Sequence, residues 1–200
     1  MNAPTRSVVL TSAVLALAAV LAACGSTTTN KVAPPAAAPA SAATEAPAAP
    51  TGKAGTRTNP AAIGQVVTIS ESGVPKWEVS LSAPSLDATA AAAANEFNEP
   101  APASQVYAEV TVNVKRLDST PADPYFDLDV EFVSAAGTTH SPLDNSVSID
   151  KGALMDLGEM YAPATGSGAV IIAIPVADAA AGTWTVSSGF DADKTFFKAV

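Results

Sequence analysis

The sequence predicts an all-β protein: an antiparallel β-sandwich of about seven to nine strands that follows a disordered Ala/Pro-rich tether. Three observations predict it. Short runs from Asn59 onward alternate apolar and polar residues with period two, turn-forming residues separate these runs, and helical periodicity is confined to one alanine-rich stretch. The chain divides accordingly into 1–23, a lipoprotein signal peptide; 24–57, a lipidated cysteine and disordered linker; and 58–200, the sandwich.

Met1 to Arg6 is short and carries one basic side chain, Ser7 to Leu21 is almost wholly apolar or small, and small residues lead on to Cys24. That order is the layout of a secretory signal. The apolar stretch runs to about 15 residues where a spanning helix needs about 20, which favours removal over permanent insertion. Cys24 is the single cysteine of the chain, so the domain forms no disulfide and is held by packing. Gly25 to Arg57 consists mainly of Ala, Pro, Thr and Ser. With almost no large apolar side chain it cannot offset its ordering entropy, which predicts a tether. Its reach is about 100 Å as polyproline II, or about 30 Å as a coil. Its Ser/Thr/Pro content also suits O-linked sugars.

The strands are taken in chain order. Gln65 to Ser70 is a weak prediction; Trp77, Val79 and Leu81 alternate with Glu78 and Ser80 and form a clearer one. Ser85 to Phe97 is the helical stretch, with Asp87 as cap and Pro100 as stop, read as an excursion outside the core. Val106, Ala108, Val110, Val112 and Val114 alternate with Tyr107, Glu109, Thr111, Asn113 and Lys115, the strongest strand signal in the chain. Phe126, Leu128, Val130 and Phe132 alternate with Asp127, Asp129 and Glu131. Thr138 to Ser141 and Ser146 to Ile149 are weaker. Ala169 to Ile174 is continuously apolar between Gly168 and Pro175, which predicts a central strand covered on both faces. Thr183 to Ser187 and Thr195 to Ala199 complete the set, and Trp77 and Trp184 are expected to supply core bulk. A closed barrel is the alternative architecture.

Leu21-Ala22-Ala23-Cys24, with Gly25 and Ser26 behind it, resembles the lipobox of bacterial lipoproteins. The resemblance implies diacylglyceryl transfer to the Cys24 thiol, cleavage before Cys24 and acylation of the new amino terminus. Two or three acyl chains, at about 0.8 kcal/mol per methylene, anchor stably where one does not. The implied partner is membrane lipid through Cys24, at the extracytoplasmic face of the cell membrane.

Three further segments resemble the actinobacterial DUF4352-type immunoglobulin-like domain, related in fold to a secreted mycobacterial antigen. They are Gly55-Thr56-Arg57-Thr58-Asn59-Pro60-Ala61-Ala62-Ile63-Gly64, Asn95-Glu96-Phe97-Asn98-Glu99-Pro100, and Gly168-Ala169-Val170-Ile171-Ile172-Ala173-Ile174-Pro175. This resemblance implies an immunoglobulin-like sandwich in a lipid-anchored or secreted protein. It implies no established activity, and a sandwich hosts many.

Ten basic residues face nineteen acidic ones, for a net charge of −9. Arg6, Lys31, Lys53 and Arg57 precede the domain along with one acid, Glu45, so the domain itself is the more acidic part. Such a surface repels nucleic acid and anionic headgroups, and neither is expected as a partner. His140 is the only histidine; no GxSxG or SxxK pattern accompanies it, and an exposed or edge-strand position is its plain reading. One cysteine and one histidine fall short of a zinc site, and phosphate-loop patterns are absent. No catalytic residue, metal ligand or cofactor is therefore expected. Asp123, Asp127, Asp129 and Glu131 form the best carboxylate group, the last three sharing one strand face by alternation. They suit Ca²⁺ chemically, but stacked acids on a strand are more often solvated surface that blocks edge pairing. Asp191 and Asp193 form a weaker pair. Tyr107 falls on the polar side of its strand, and Tyr125, Phe126 and Tyr161 fall near predicted strand ends or loops; core or rim packing is the leading reading, and a grip for a partner or sugar is the other. The order of expectation is a surface interaction module with an envelope protein partner, then a small-ligand, glycan or calcium-binding lipoprotein, and last an enzyme.

Overall fold

A computed structural model describes residues 53–189 and 192–200. The signal peptide, Cys24, most of the linker and Asp191 lie outside the described residues. The rest is an antiparallel β-sandwich of two four-stranded sheets, not a closed barrel. One sheet holds β1 (Val67–Glu71), β2 (Val74–Ser85), β3 (Gln105–Arg116) and β6 (Thr165–Pro175), in that order. The other is ordered β5 (Thr139–His140), β4 (Leu128–Val133), β7 (Thr183–Ser188) and β8 (Thr195–Lys198). β3 and β6 are paired along eleven positions from Gln105↔Pro175 to Lys115↔Thr165, although β4 and β5 of the opposite sheet intervene in sequence. Gly55 and Thr56, late in the expected linker, are already tied to the domain: Phe196 N donates to Gly55 O, and Thr56 pairs with Asn59.

Period two explains the core. Trp77, Val79 and Leu81 of β2, Ala108, Val110, Val112 and Val114 of β3, and Ile172 and Ile174 of β6 are buried between the sheets, where Leu128, Val130, Phe132, Trp184, Val186 and Phe197 meet them. Each large side chain removed from water there contributes about 1.5–3 kcal/mol. Phe132 and Trp184 meet edge to face with centroids 5.2 Å apart, and the Trp184 indole N–H donates to Ala199 O at 3.3 Å.

Ala169 to Ile174 is covered on both faces as its apolar run predicts, but it is not central: β6 is an edge strand. Its cover is local. A 3-10 turn, Leu154–Leu157, lies against β6, where Gly166 and Gly168 leave room for Leu157 and Leu154. A methyl group on Gly168 would sit 2.4 Å from the Leu154 Cα, so these glycines belong to the strand and permit close approach.

The outer face of the same sheet carries a second apolar cluster. Tyr107, Ile171 and Ala173 are buried beneath Ala88 and Ala92, with Val147 and Ile149 packed against them. Ala88 flanks, and Ala92 ends, the short helix α1 (Thr89–Ala92). One expectation is corrected here, and core packing is the outcome for Tyr107. The Ser85 to Phe97 stretch is part of a core, and Tyr107 is buried despite its place on the polar side of β3, its hydroxyl donating to Glu99 O at 3.0 Å. Alternation reports only the sheet's own two faces; it does not report what a distant loop lays over one of them.

Ser146 to Ile149 is not a strand. Val147 and Ile149 do alternate inward, but the backbone of Ser148 pairs with a side chain: Asn98 Nδ2 donates to Ser148 O at 2.8 Å, and Ser148 N donates to Asn98 Oδ1 at 2.8 Å. The same Nδ2 also donates to Ala92 O, and Asn95 Nδ2 donates to Asp150 Oδ1 at 2.7 Å. Side-chain amides thus join the two covering loops.

Candidate functional site

Asp123 and Pro124 start a helical turn, α2 (Pro124–Asp127): the Asp123 carboxylate accepts from Tyr125 N at 2.9 Å and Pro124 fills the first helical position. The turn has two consequences. Phe126, expected in a strand, stands out from the domain, its ring edge to face with Tyr125 at 5.1 Å. Asp127, expected beside Asp129 and Glu131, points the other way.

Asp127 Oδ2 accepts from the Trp77 indole N–H and from Ser188 Oγ, and lies 3.5 Å from Arg116 Nη1. Arg116 is 3 % exposed. Its Nε and Nη2 donate to Thr120 O at 3.0 and 2.7 Å, its Nη1 donates to Lys76 O, and its guanidinium lies 4.7 Å from the centroid of the Trp77 ring. A buried cation is tolerable only with such partners. The network joins β2, β3, α2 and β7 and holds the sandwich closed at that end. Beside it, Lys76 donates to Asp118. This bond, with a second from Thr120 N, holds the Asp118 carboxyl down to about 2, and Asp118 in turn raises Lys76.

The four acids therefore separate. Asp123 caps α2, Asp127 faces Arg116, Asp129 is exposed, and Glu131 pairs with Lys194. Among the described residues no three His, Cys, Asp or Glu side chains are grouped to hold a metal ion, and the calcium reading loses its cluster. Asp193 is exposed; its intended companion Asp191 is outside the described residues. His140 lies on the edge strand β5 opposite Phe132, half-buried, and among the described residues its Nε2 has no hydrogen-bond partner. Tyr161 is exposed, and its hydroxyl donates to Glu159 at 2.7 Å, which raises its pKa.

What the sequence did not indicate is a groove of about 810 Å³ on the side of the sandwich where β4 and β6 approach. β4 contributes Leu128 to Glu131, the loop before the 3-10 turn contributes Ser141 to Leu143 and Ser146 to Ile149, the turn contributes Ala153 to Asp156, and β6 contributes Ala169 to Ile171. Tyr125 and Phe126 stand at its rim. Four large apolar side chains are exposed around it: Phe126 at 84 %, Leu143 at 80 %, Met155 at 57 % and Tyr125 at 36 %. Scattered exposed apolar residues need no explanation, whereas here several gather on one concavity. The Asp-Pro pair at 123–124 was the available signal that Phe126 would leave the strand.

No family model and no curated protein matches the chain. Among solved structures it is similar to an uncharacterized beta-sandwich protein from Clostridium difficile 630, at 18 % identity over 69 % of this chain and 93 % of that one, with a TM-score of 0.38. It is also similar to a conserved hypothetical protein from Bacillus anthracis, at 14 % identity over 69 % and 95 % of the two chains, with a TM-score of 0.39.

Proposed function

We propose that this chain is a lipoprotein anchored through Cys24 at the extracytoplasmic face of the cell membrane, and that its immunoglobulin-like sandwich is an interaction module that holds an envelope protein in the groove beside β4. The observation that carries the reading is the gathering of Phe126, Leu143, Met155 and Tyr125 at one concavity. Aromatic and methionine side chains are residue types enriched at protein interfaces, and three of these four, Tyr125, Phe126 and Met155, are of those types. The lipobox from Leu21 to Ser26 and the Ala/Pro-rich stretch behind it supply the anchor and the reach.

The test is a photo-activatable residue placed in cells at Phe126, at Leu143 and, as a control on the β1–β2 hairpin, at exposed Val74. One envelope protein captured from both groove positions and absent at Val74 supports the reading; the same products at all three positions, or none, overturn it. Mass spectrometry of Cys24→Ser tests the anchor, with loss of the acyl mass and release from membranes expected. A second reading, a small-ligand or glycan carrier, is favoured by the size of the groove, which lies in the range of small-molecule sites. A thermal shift with glycans, abolished by Phe126→Ser, distinguishes it.

A further inference from the structure

The lining of the groove also specifies the chemistry of its occupant. Asp129, Glu131 and Asp156 line it, and among the described residues no Lys, Arg or His does. Glu131 is paired with Lys194 from β8's approach, but Asp129 is exposed, and among the described residues Asp156 accepts from the neutral Ala153 N–H, at 3.0 Å, and from no cation. Asp144 and Asp150 lie in the loop that closes one wall, and they too bond neutral donors, Ser141 N and Asn95 Nδ2. Lys151 is the one cation following that loop. On β4 the accessible lining is acidic, Asp129 and Glu131, since Leu128 and Val130 turn into the core.

We propose, resting on the reading of the groove as a protein-binding surface, that its occupant is a segment of the partner that carries both Lys or Arg and large apolar residues. Such a segment offers apolar groups to Phe126, Leu143 and Met155 and cations to Asp129 and Asp156, which line the same groove. The uncompensated carboxylates speed the encounter and reject acidic competitors, and the apolar contacts hold the complex. An anionic lipid or an acidic peptide meets repulsion at the same place.

The test uses the full-length chain in nonionic detergent, with detergent alone subtracted, and three labelled peptides of equal length: leucine alternating with lysine, leucine alternating with glutamate, and serine alternating with lysine. Fluorescence anisotropy should show binding of the leucine–lysine peptide alone, weakening as salt is raised. Phe126→Ser should weaken it by about tenfold and Asp129→Asn by about two- to fivefold. Glu78→Gln, which removes the same charge from the far sheet face, where it pairs with Lys115, should leave it unchanged. Equal binding of the leucine–glutamate peptide, equal loss on Glu78→Gln, or no binding of any peptide would overturn the proposal. If cross-linking at Phe126 captures one partner while the leucine–lysine peptide fails, the interaction module stands and only this assignment falls.

Discussion

Phe126 and Asp127 are adjacent in the chain and face opposite surroundings. Asp127 turns into the closed end of the sandwich, where Trp77, Ser188 and Arg116 surround it; Phe126 turns out to the rim of the groove, touching little besides Tyr125. At the closed end the buried polar groups are partnered and the geometry is determined from several strands at once. At the groove, apolar surface is left in water beside carboxylates. The contrast separates residues that hold the fold from residues available for contact, and one helical turn divides them.

The comparison is easiest to break by substitution at its two poles. Asp127→Ala strips a partner from a buried guanidinium and from an indole N–H, and should cost about 3 kcal/mol in urea unfolding. Phe126→Ser should change stability by less than about 0.5 kcal/mol; a loss as large as that of Asp127→Ala would show that Phe126 belongs to the core after all. Gly168→Ala forces the backbone of the 3-10 turn away from β6, which should cost about 2 kcal/mol and shift the NMR methyl signals of Leu154 while leaving those of Val186 in place.

A smaller effect sharpens the contrast from the side of the strands. Ala83, at the bulge of β2, has φ of 47°, a left-handed conformation that disfavours alanine. Ala83→Gly should stabilise by about 0.5 kcal/mol, read as a higher midpoint at unchanged slope.

The smallest effect is in pH dependence at the closed end. The Asp118 carboxyl is held below its usual 3.8, at about 2, first by the hydrogen bond from Lys76. A folded pKa depressed in this way contributes stability above the unfolded value, lost as pH falls from about 4 to about 2. Asp118→Asn should therefore flatten acid unfolding in that window and leave the neutral-pH groove unaffected; an unaltered acid limb would show that the bond does not persist in solution.

The strands were legible where alternation alone decides burial. Val106 to Val114 lies within β3 and Trp77 to Leu81 within β2, because period two states directly which side chains face the opposite sheet. The same rule misplaced Phe126 and Asp127, since their spacing continues the pattern of β4 while a capped turn rotates them out of it. The sandwich was thus readable, but the groove was not. It is assembled from β4, β6 and two loops far apart in sequence, and nothing local to Leu143 or Met155 distinguishes an exposed apolar residue from a buried one. The cover of Tyr107 likewise arrives from far along the chain, at Ala88 and Ala92.

The grip of Asn98 on Ser148 has an evolutionary meaning. A rung between two strands uses main-chain groups that nearly every amino acid possesses, so mutation seldom removes it. Here a rung is written in one codon. The roof over Tyr107 and Ile171 is therefore heritable in a different way from the walls beneath it: the walls tolerate drift in sequence, while the rung to Ser148 lasts only as long as that one position encodes an amide of the right length.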